Sequence, residues 1–397
     1  MSYREATAHF KMHKKLWKAF LFIVAIFATL RILENFVYSE SNTETKMNRT
    51  KSSQLDHMGH DTKYGHLTGQ ETNPVTEKLD TCEDVIKQKN LLKIHPRTNK
   101  TRTPKEYYDL SWNNSKLMSA EFILNPKQIC VGEVDALVMV LSGTKDAHRR
   151  YAVRKTIGGA GKFVDKKIVL VFLMGLTDDP SIQIKINGEM RGRKDIIQAN
   201  FMDTYENLTI KTHLSLKWAM EFCPHAKYHL HATDDVMFNP YKLFTTLKDL
   251  PKEGLYYGCS MPNPVIERRS NIYYHIRSDV KWSGWFYPPM HYGFFFVITQ
   301  DVVANFYKLS CMTPLTFPDD AQIAAWVEML NIPVMGKEEL CIHWIVVSNE
   351  EKMMQLFAHK EHKNMFVHFG SGPETGRKML RMWKYFEKYY KLTYMPT

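Results

Sequence analysis

Two aspartates end a short apolar run, Tyr228-His-Leu-His-Ala-Thr-Asp-Asp235, and a second pair follows a proline in Pro318-Asp319-Asp320. Adjacent carboxylates at a strand end can bind a hard divalent cation through oxygen, and such a cation can neutralise a departing diphosphate. Paired aspartates are also commonplace in turns that bind nothing. His229 and His231 alternate on the same run and could face one metal, but without a third ligand in register they read as strand-face residues. Arg150 and Arg154 lie one helical turn apart and suit either a diphosphate or partner carboxylates. Asp319 and Asp320 precede residues 321–330, which look helical, so either can cap that helix. Trp282, Trp285 and Tyr287 flank a Pro-Pro pair and can stack on a sugar face or simply pack.

The elements that must position these residues begin after Val131. Residues 136–141 and 168–174 are apolar runs bounded by polar turns, as buried strands should be, and residues 147–156 between them read as a helix. A helical stretch at 214–222 precedes a third run at 228–232, so strand and helix alternate as in an α/β sheet. Ligands of such sheets gather at the carboxyl ends of the strands, which puts the Thr233-Asp234-Asp235 loop where chemistry is expected.

The rest of the chain says where that domain resides. Residues 16–33 are apolar except for Lys18 and Arg31, and at about 1.5 Å per residue they cover about 27 Å, enough to span a bilayer. Lys11, Lys14, Lys15 and Lys18 keep residues 1–15 cytoplasmic, so the span reads as an uncleaved type II signal-anchor with everything after it lumenal. Residues 34–130 read as a polar stem carrying the sequons at Asn48, Asn99 and Asn113, and 131–397 as the catalytic domain, with a further sequon at Asn207. The formal net charge is +11, but its lysines and arginines are scattered rather than gathered on one helix, which argues against nucleic acid. Six separated cysteines without a C-x-x-C pair exclude a zinc ribbon or redox motif and suit disulfides in an oxidising lumen.

Several blocks, in order, resemble the β-1,3-galactosyltransferase-like family, which also includes N-acetylglucosaminyl- and N-acetylgalactosaminyltransferases. Arg149-Arg-Tyr-Ala-Val-Arg-Lys-Thr-Ile-Gly158 resembles its R-R-x-A-I-R-x-T-W-G segment, with Ile157 in the tryptophan position, and Val171-Phe-Leu-Met-Gly175 resembles its F-L-L-G strand end. The run from Asp195 to Thr212 is similar to D-I-I-Q-x-D-F-x-D-x-Y-x-N-L-T-L-K-T, the most specific match. His231-Ala-Thr-Asp-Asp-Val-Met-Phe-Asn239 resembles the metal motif K-x-D-D-D-V-F-x-N, with Thr233 replacing its first aspartate. Tyr287-Pro-Pro-Met-His-Tyr-Gly293 resembles Y-P-P-Y-C-S-G with His291 for cysteine, and Pro318-Asp-Asp-Ala-Gln-Ile323 resembles P-x-E-D-V-Y-V. Met365-Phe-Val-His368, followed by Met379 and Trp383, resembles a closing strand whose histidine completes a metal site.

The resemblance implies a GT-A nucleotide-sugar-binding fold, a Rossmann-like mixed α/β sheet flanked by helices, in the Golgi membrane. It implies inverting transfer of a hexose from a UDP-sugar to the 3-hydroxyl of an acceptor glycan on lipid or protein, with Mn²⁺ or Mg²⁺. It gives Asp235, Asp234 and His368 as metal ligands, Asp320 as the base with Asp319 as the alternative, and Arg150, Arg154, Asp195, Lys211 and Asp234 to the donor. A Thr233 hydroxyl can still hydrogen-bond where the family has an aspartate. A fringe-like or core-1-like protein O-glycan transferase is the alternative within enzymes, and a sugar-binding or chaperone relative the alternative outside them. A homodimer is left open.

Overall fold

The computed structural model describes Cys82, Asp84 and residues 120–261, 264–265, 286–314, 316, 318–343 and 349–394. These belong to one compact unit, Val75–Thr397. The expected anchor at 16–33, the sequons at Asn48, Asn99 and Asn113, and Trp282 and Trp285 lie outside the described residues. Among the described residues no helix is long and apolar enough to cross a membrane.

The strands are β1 (Phe122–Leu124), β2 (Val134–Leu141), β3 (Ile168–Leu176), β4 (Ile196–Met202), β5 (Ala226–Thr233), β6 (Val236–Phe238), β7 (Tyr256–Ser260), β8 (His291–Thr299), β9 (Val334–Met335), β10 (Cys341–His343) and β11 (Phe366–His368). The helices are α1 (Ala147–Lys155), α2 (Pro180–Arg193), α3 (Leu208–Phe222), α4 (Pro240–Asp249), α5 (Gln300–Met312), α6 (Asp319–Met329), α7 (Glu350–Ala358) and α8 (Thr375–Tyr394). Eight strands form a mixed sheet in the order β1-β4-β3-β2-β5-β8-β7-β9, and three form a small sheet, β10-β11-β6. β4, β3, β2 and β5 run parallel, whereas β1 joins β4 and β8 joins both β5 and β7 antiparallel.

Both faces of the large sheet are covered, which is why its strands are nearly continuous apolar runs. Along β2, Ala136, Val138 and Val140 enter one core with Ala152, Phe244, Met353, Met382 and Phe386, from α1, α4, α7 and α8. The alternate residues Leu137, Met139 and Leu141 enter a second core with Leu214, Trp218, Phe306 and Trp326, from α3, α5 and α6. The period of two along each strand thus becomes two helical layers with the sheet between them.

The folded unit starts earlier than the expected stem boundary at 130. β1 lies within that stem and extends the sheet beside β4, and Trp218 Nε1 donates to Asn125 Oδ1 at 2.9 Å. Three residues are too few to display an alternating pattern, so composition alone assigned them to the stem. All six cysteines pair, as Cys82–Cys311, Cys130–Cys223 and Cys259–Cys341. The last pair ties the large sheet, through β7, to the small one, through β10.

Candidate functional site

Parallel strands carry their following loops to one edge of the sheet, and the candidate residues collect there. β5 ends at Thr233, and Asp234-Asp235 turns the chain into β6. β2 ends beside it in Ser142, which is buried and donates through Oγ to Asp234 Oδ2 at 2.7 Å. From the first turn of α1, Arg149 donates Nη1 to Asp234 Oδ1 at 2.7 Å and Nη2 to Asp146 at 2.6 Å. Burial raises the Asp234 carboxyl to about 6, although Arg149 and Ser142 oppose that rise.

Asp235 faces other partners. Thr233 Oγ1 donates to its Oδ1 at 2.6 Å, and His368 Nε2 lies 3.4 Å from its Oδ2. Burial pushes this carboxyl up, but the hydrogen bonds of His368 and Thr233 and the charge of Arg149 outweigh it, so Asp235 sits below the usual carboxylate range. His368 arrives because β11 pairs antiparallel with β6, His368 opposite Val236. Its ring is stacked on Phe294 of β8, with centroids 4.5 Å apart, and meets His343 edge-on. A carboxylate oxygen beside an imidazole nitrogen is a donor set that suits Mn²⁺ or a similar divalent cation.

Of the expected ligands, therefore, Asp235 and His368 come together, whereas Asp234 is turned to Ser142 and Arg149. The remaining cluster of ligand-type side chains among the described residues, Cys130, Cys223 and His225, contains a disulfide and offers no free thiolate.

The second carboxylate pair lies against Gly293, the residue of β8 just before Phe294. Gly293 carries no side chain, and a Cβ there would stand 3.3 Å from Asp320 Cβ and 3.6 Å from Asp319 Oδ1. Asp319 and Asp320 are the first two residues of α6, and the N-cap is Pro318, so neither aspartate takes the expected capping position. Asp319 is buried, and its Oδ2 accepts from Thr212 Oγ1 at 2.8 Å. Burial, together with the charge of Asp319, pushes Asp320 up to about 7, against the N–H bonds it accepts from Ala321 and Gly293. Burial raises Asp319 as well, so two like charges in one desolvated place hold protons tightly.

The residues expected at the donor are largely committed to carboxylates. Arg150, 1% exposed, donates to both oxygens of Glu189 and, at 2.6 Å, to Gly143 O. Arg154 holds Asp195 at 2.7 and 2.9 Å and also pairs with Glu189. Lys211 pairs with Asp203 at 2.6 Å and donates to Ser142 O. These ion pairs tie α1 to α2 and β4, and α3 to the end of β2, behind the site. The arginine that reaches the aspartate loop is Arg149, whose Nε is buried without a partner among the described residues. Spacing favoured Arg150 and Arg154 because they share a helix face; Arg149 stood in the same motif, adjacent to a residue pointing elsewhere.

The other candidates take packing positions. His229 and His231 are buried on one face of β5, pushed down by burial to about 4 and about 3, and His231 stacks on Phe296. His291 is pushed down by burial to about 4 and packs on Tyr256. Tyr287 is buried with Met290, Ala321 and Ala324 under α6. Asn207 donates through Nδ2 to Met202 O, and Thr209 of its sequon is buried against Thr316 O. That sequon is folded into the start of α3 rather than presented on an open loop. Ser142, Thr212, Phe294 and His343 were not singled out in the sequence; only Ser142 left a signal, as the first polar residue after the apolar run of β2.

Residues 148–338 match the family described as Galactosyltransferase. The chain is 34% identical over 204 residues to Lactosylceramide 1,3-N-acetyl-beta-D-glucosaminyltransferase A of Xenopus laevis, over 48% of this chain and 53% of that protein. It is 30% identical over 218 residues to Beta-1,3-galactosyltransferase 1 of Mus musculus, over 54% of this chain and 66% of that protein. The matched part thus spans about half of the first relative and just under two thirds of the second. A crystal structure of a glycosyltransferase involved in the glycosylation of the major capsid of PBCV-1 covers 62% of this chain and 98% of its own, at 13% identity and a TM-score of 0.34. That overlay is too loose for any residue of the site to be carried across.

Proposed function

This chain belongs to the galactosyltransferase family, and from that premise we propose that it is an inverting β-1,3-hexosyltransferase of GT-A type, taking a UDP-sugar donor and a glycan acceptor. One observation carries the reading: consecutive residues of β8 face two distinct carboxylate centres. Phe294 stacks on the His368 that meets Asp235, and Gly293 abuts Asp320. Inverting transfer needs such a division, with one centre for the departing diphosphate and one base for the incoming hydroxyl.

Asp235 and His368 would hold a divalent cation, Mn²⁺ or Mg²⁺, whose chemistry is to neutralise charge on the leaving diphosphate. Asp320 accepts the proton of the acceptor 3-hydroxyl as the new bond forms; its raised pKa makes it a stronger base than an ordinary carboxylate while still partly ionised near neutrality. Asp319, held by Thr212, keeps the pair oriented and adds the negative charge that sustains that basicity. Asp234, between Arg149 and Ser142, is proposed to meet the donor's ribose and diphosphate side. The reading extends to a Golgi type II protein anchored by residues 16–33 and acting on glycolipid or glycoprotein glycans. The two relatives' names carry different hexoses, so the donor is proposed at the level of hexose.

The test is UDP release by the purified lumenal chain across a panel of UDP-hexoses and UDP-N-acetylhexosamines, with galactose- and glucosamine-terminated acceptors. Turnover should appear with Mn²⁺ and disappear with excess chelator and in Asp235→Ala. Acceptor-dependent turnover that persists in both would sink the assignment of the Asp235 centre. Binding of glycans without turnover of any donor would favour the sugar-binding alternative.

A further inference from the structure

His368 reaches Asp235 on a strand that is poorly equipped to hold itself there. β11 has three residues, as do both its neighbours β10 and β6. A sheet of three such strands makes few hydrogen bonds of its own, and a slip of one residue would turn His368 to the opposite face. Burial of Phe366 and Val367 favours the observed register, and contacts from outside the sheet add to it.

The chain just beyond β6 supplies them. Asn239 and Lys242, at the start of α4, together engage four backbone carbonyls of the segment that ends in β11. The Asn239 N–H donates to Met365 O at 2.8 Å, and its Nδ2 donates to Phe357 O at 2.7 Å. Lys242 Nζ donates to Leu356 O at 2.9 Å and to Asn364 O at 2.7 Å. Asn239 Oδ1 meanwhile accepts from Lys242 N, capping α4 and fixing the two side chains relative to each other.

Leu356 and Phe357 lie in the last turn of α7, where helix carbonyls have no partner within the helix. A cation belongs there, because that end of the helix dipole is negative. Lys242 is nonetheless an expensive choice: the residue is 7% exposed, and among the described residues no carboxylate forms an ion pair with it, Glu361 acting only at longer range. Burial accordingly depresses its pKa to about 7. Capping a surface helix does not require burying an ammonium group. Bracketing the segment 356–364 from both sides does, since one ammonium reaches the end of α7 and the residue before Met365 at once.

We propose that Asn239 and Lys242 form a clamp that positions His368 against Asp235, so that Lys242 is a positioning residue for the donor-side centre although it touches neither ligand. The inference rests on the reading of Asp235 and His368 as that centre.

The test compares Lys242→Met, Asn239→Ser and His368→Ala with the unaltered protein. Asn239→Ser keeps a capping oxygen for α4 but loses the reach to Phe357, so it serves where Lys242→Met does not accumulate folded. Both clamp variants should speed amide exchange in residues 359–369 by about 10-fold while β2 exchanges as before, because the opening is local. Both should raise the Mn²⁺ concentration for half-maximal UDP-sugar turnover by about 10-fold and leave the acceptor KM unchanged. Unchanged exchange and an unchanged Mn²⁺ requirement would overturn the clamp. Faster exchange in β2 as well as in 359–369 would also overturn it, as general destabilisation. If His368→Ala keeps full Mn²⁺-dependent turnover, it is the reading of the centre that fails, whatever the clamp variants do to exchange.

Discussion

Asp320 and Asp319 differ in what their oxygens touch, and the difference makes their proposed roles separable by experiment. Asp320 lies against Gly293, whereas an oxygen of Asp319 is committed to Thr212. Asp320→Asn should leave UDP-sugar affinity nearly intact while transfer falls by roughly 10² or more, the scale of a lost general base. Isothermal titration with UDP and initial rates measure the two separately; an equal loss in both would remove Asp320 from the acceptor side. In the proposed role the ionised form of Asp320 is the one that works, and burial with the charge of Asp319 holds its pKa up to about 7. Activity should therefore rise with pH through neutrality and level off above it. Asp319→Asn removes the neighbouring charge, so the acid limb should move to lower pH. A limb that stays in place would mean that Asp319 does not set the basicity of its neighbour.

Between elements, the informative contact is that of β8 with the start of α6. Gly293 is needed there for room: a Cβ 3.3 Å from Asp320 Cβ would force a shift of a few tenths of an ångström. Small displacements of a reacting group carry large rate costs. Gly293→Ala should lower transfer by about 10-fold or more with the melting temperature and donor affinity close to those of the parent. If the rate is unchanged, the approach of β8 does not constrain Asp320. The carboxylates paired with Arg150 and Arg154 act at the same scale, joining α1, α2 and β4, and their work is to hold the helix that carries Arg149.

Across the whole domain, three disulfides join segments that are distant in the chain, among them Cys130 with Cys223, 93 residues apart. Closing a long loop restricts the unfolded chain, and losing such a bridge costs roughly 2–5 kcal/mol. Cys223→Ser should thus melt about 4–20 °C below the parent, taking about 2–4 °C per kcal/mol. Reductant should lower the melting temperature of the parent toward that of the variant. Calorimetry with no change on reduction would count against these pairings in the native protein.

The sequence showed the strands of the parallel half before any fold was known, since 136–141, 168–174 and 228–232 fall within β2, β3 and β5. It determined the helices beside them and the strand-end location of Asp234 and Asp235, because burial on two faces writes an apolar pattern that needs no knowledge of partners. The motifs of a known family pointed to Asp320 and His368. Which residues meet was set by the packing of distant segments. It brought His368 to Asp235 through the pairing of β11 with β6, turned Asp234 toward Arg149, and gave Arg150 and Arg154 to Glu189 and Asp195. It also added β1 to the sheet and chose the disulfide partners. The physical reason is the range of the information. Periodicity reports the environment of each residue, whereas an ion pair or a strand register depends on where a distant segment packs, and an arginine offers the same charge to a diphosphate as to a buried glutamate.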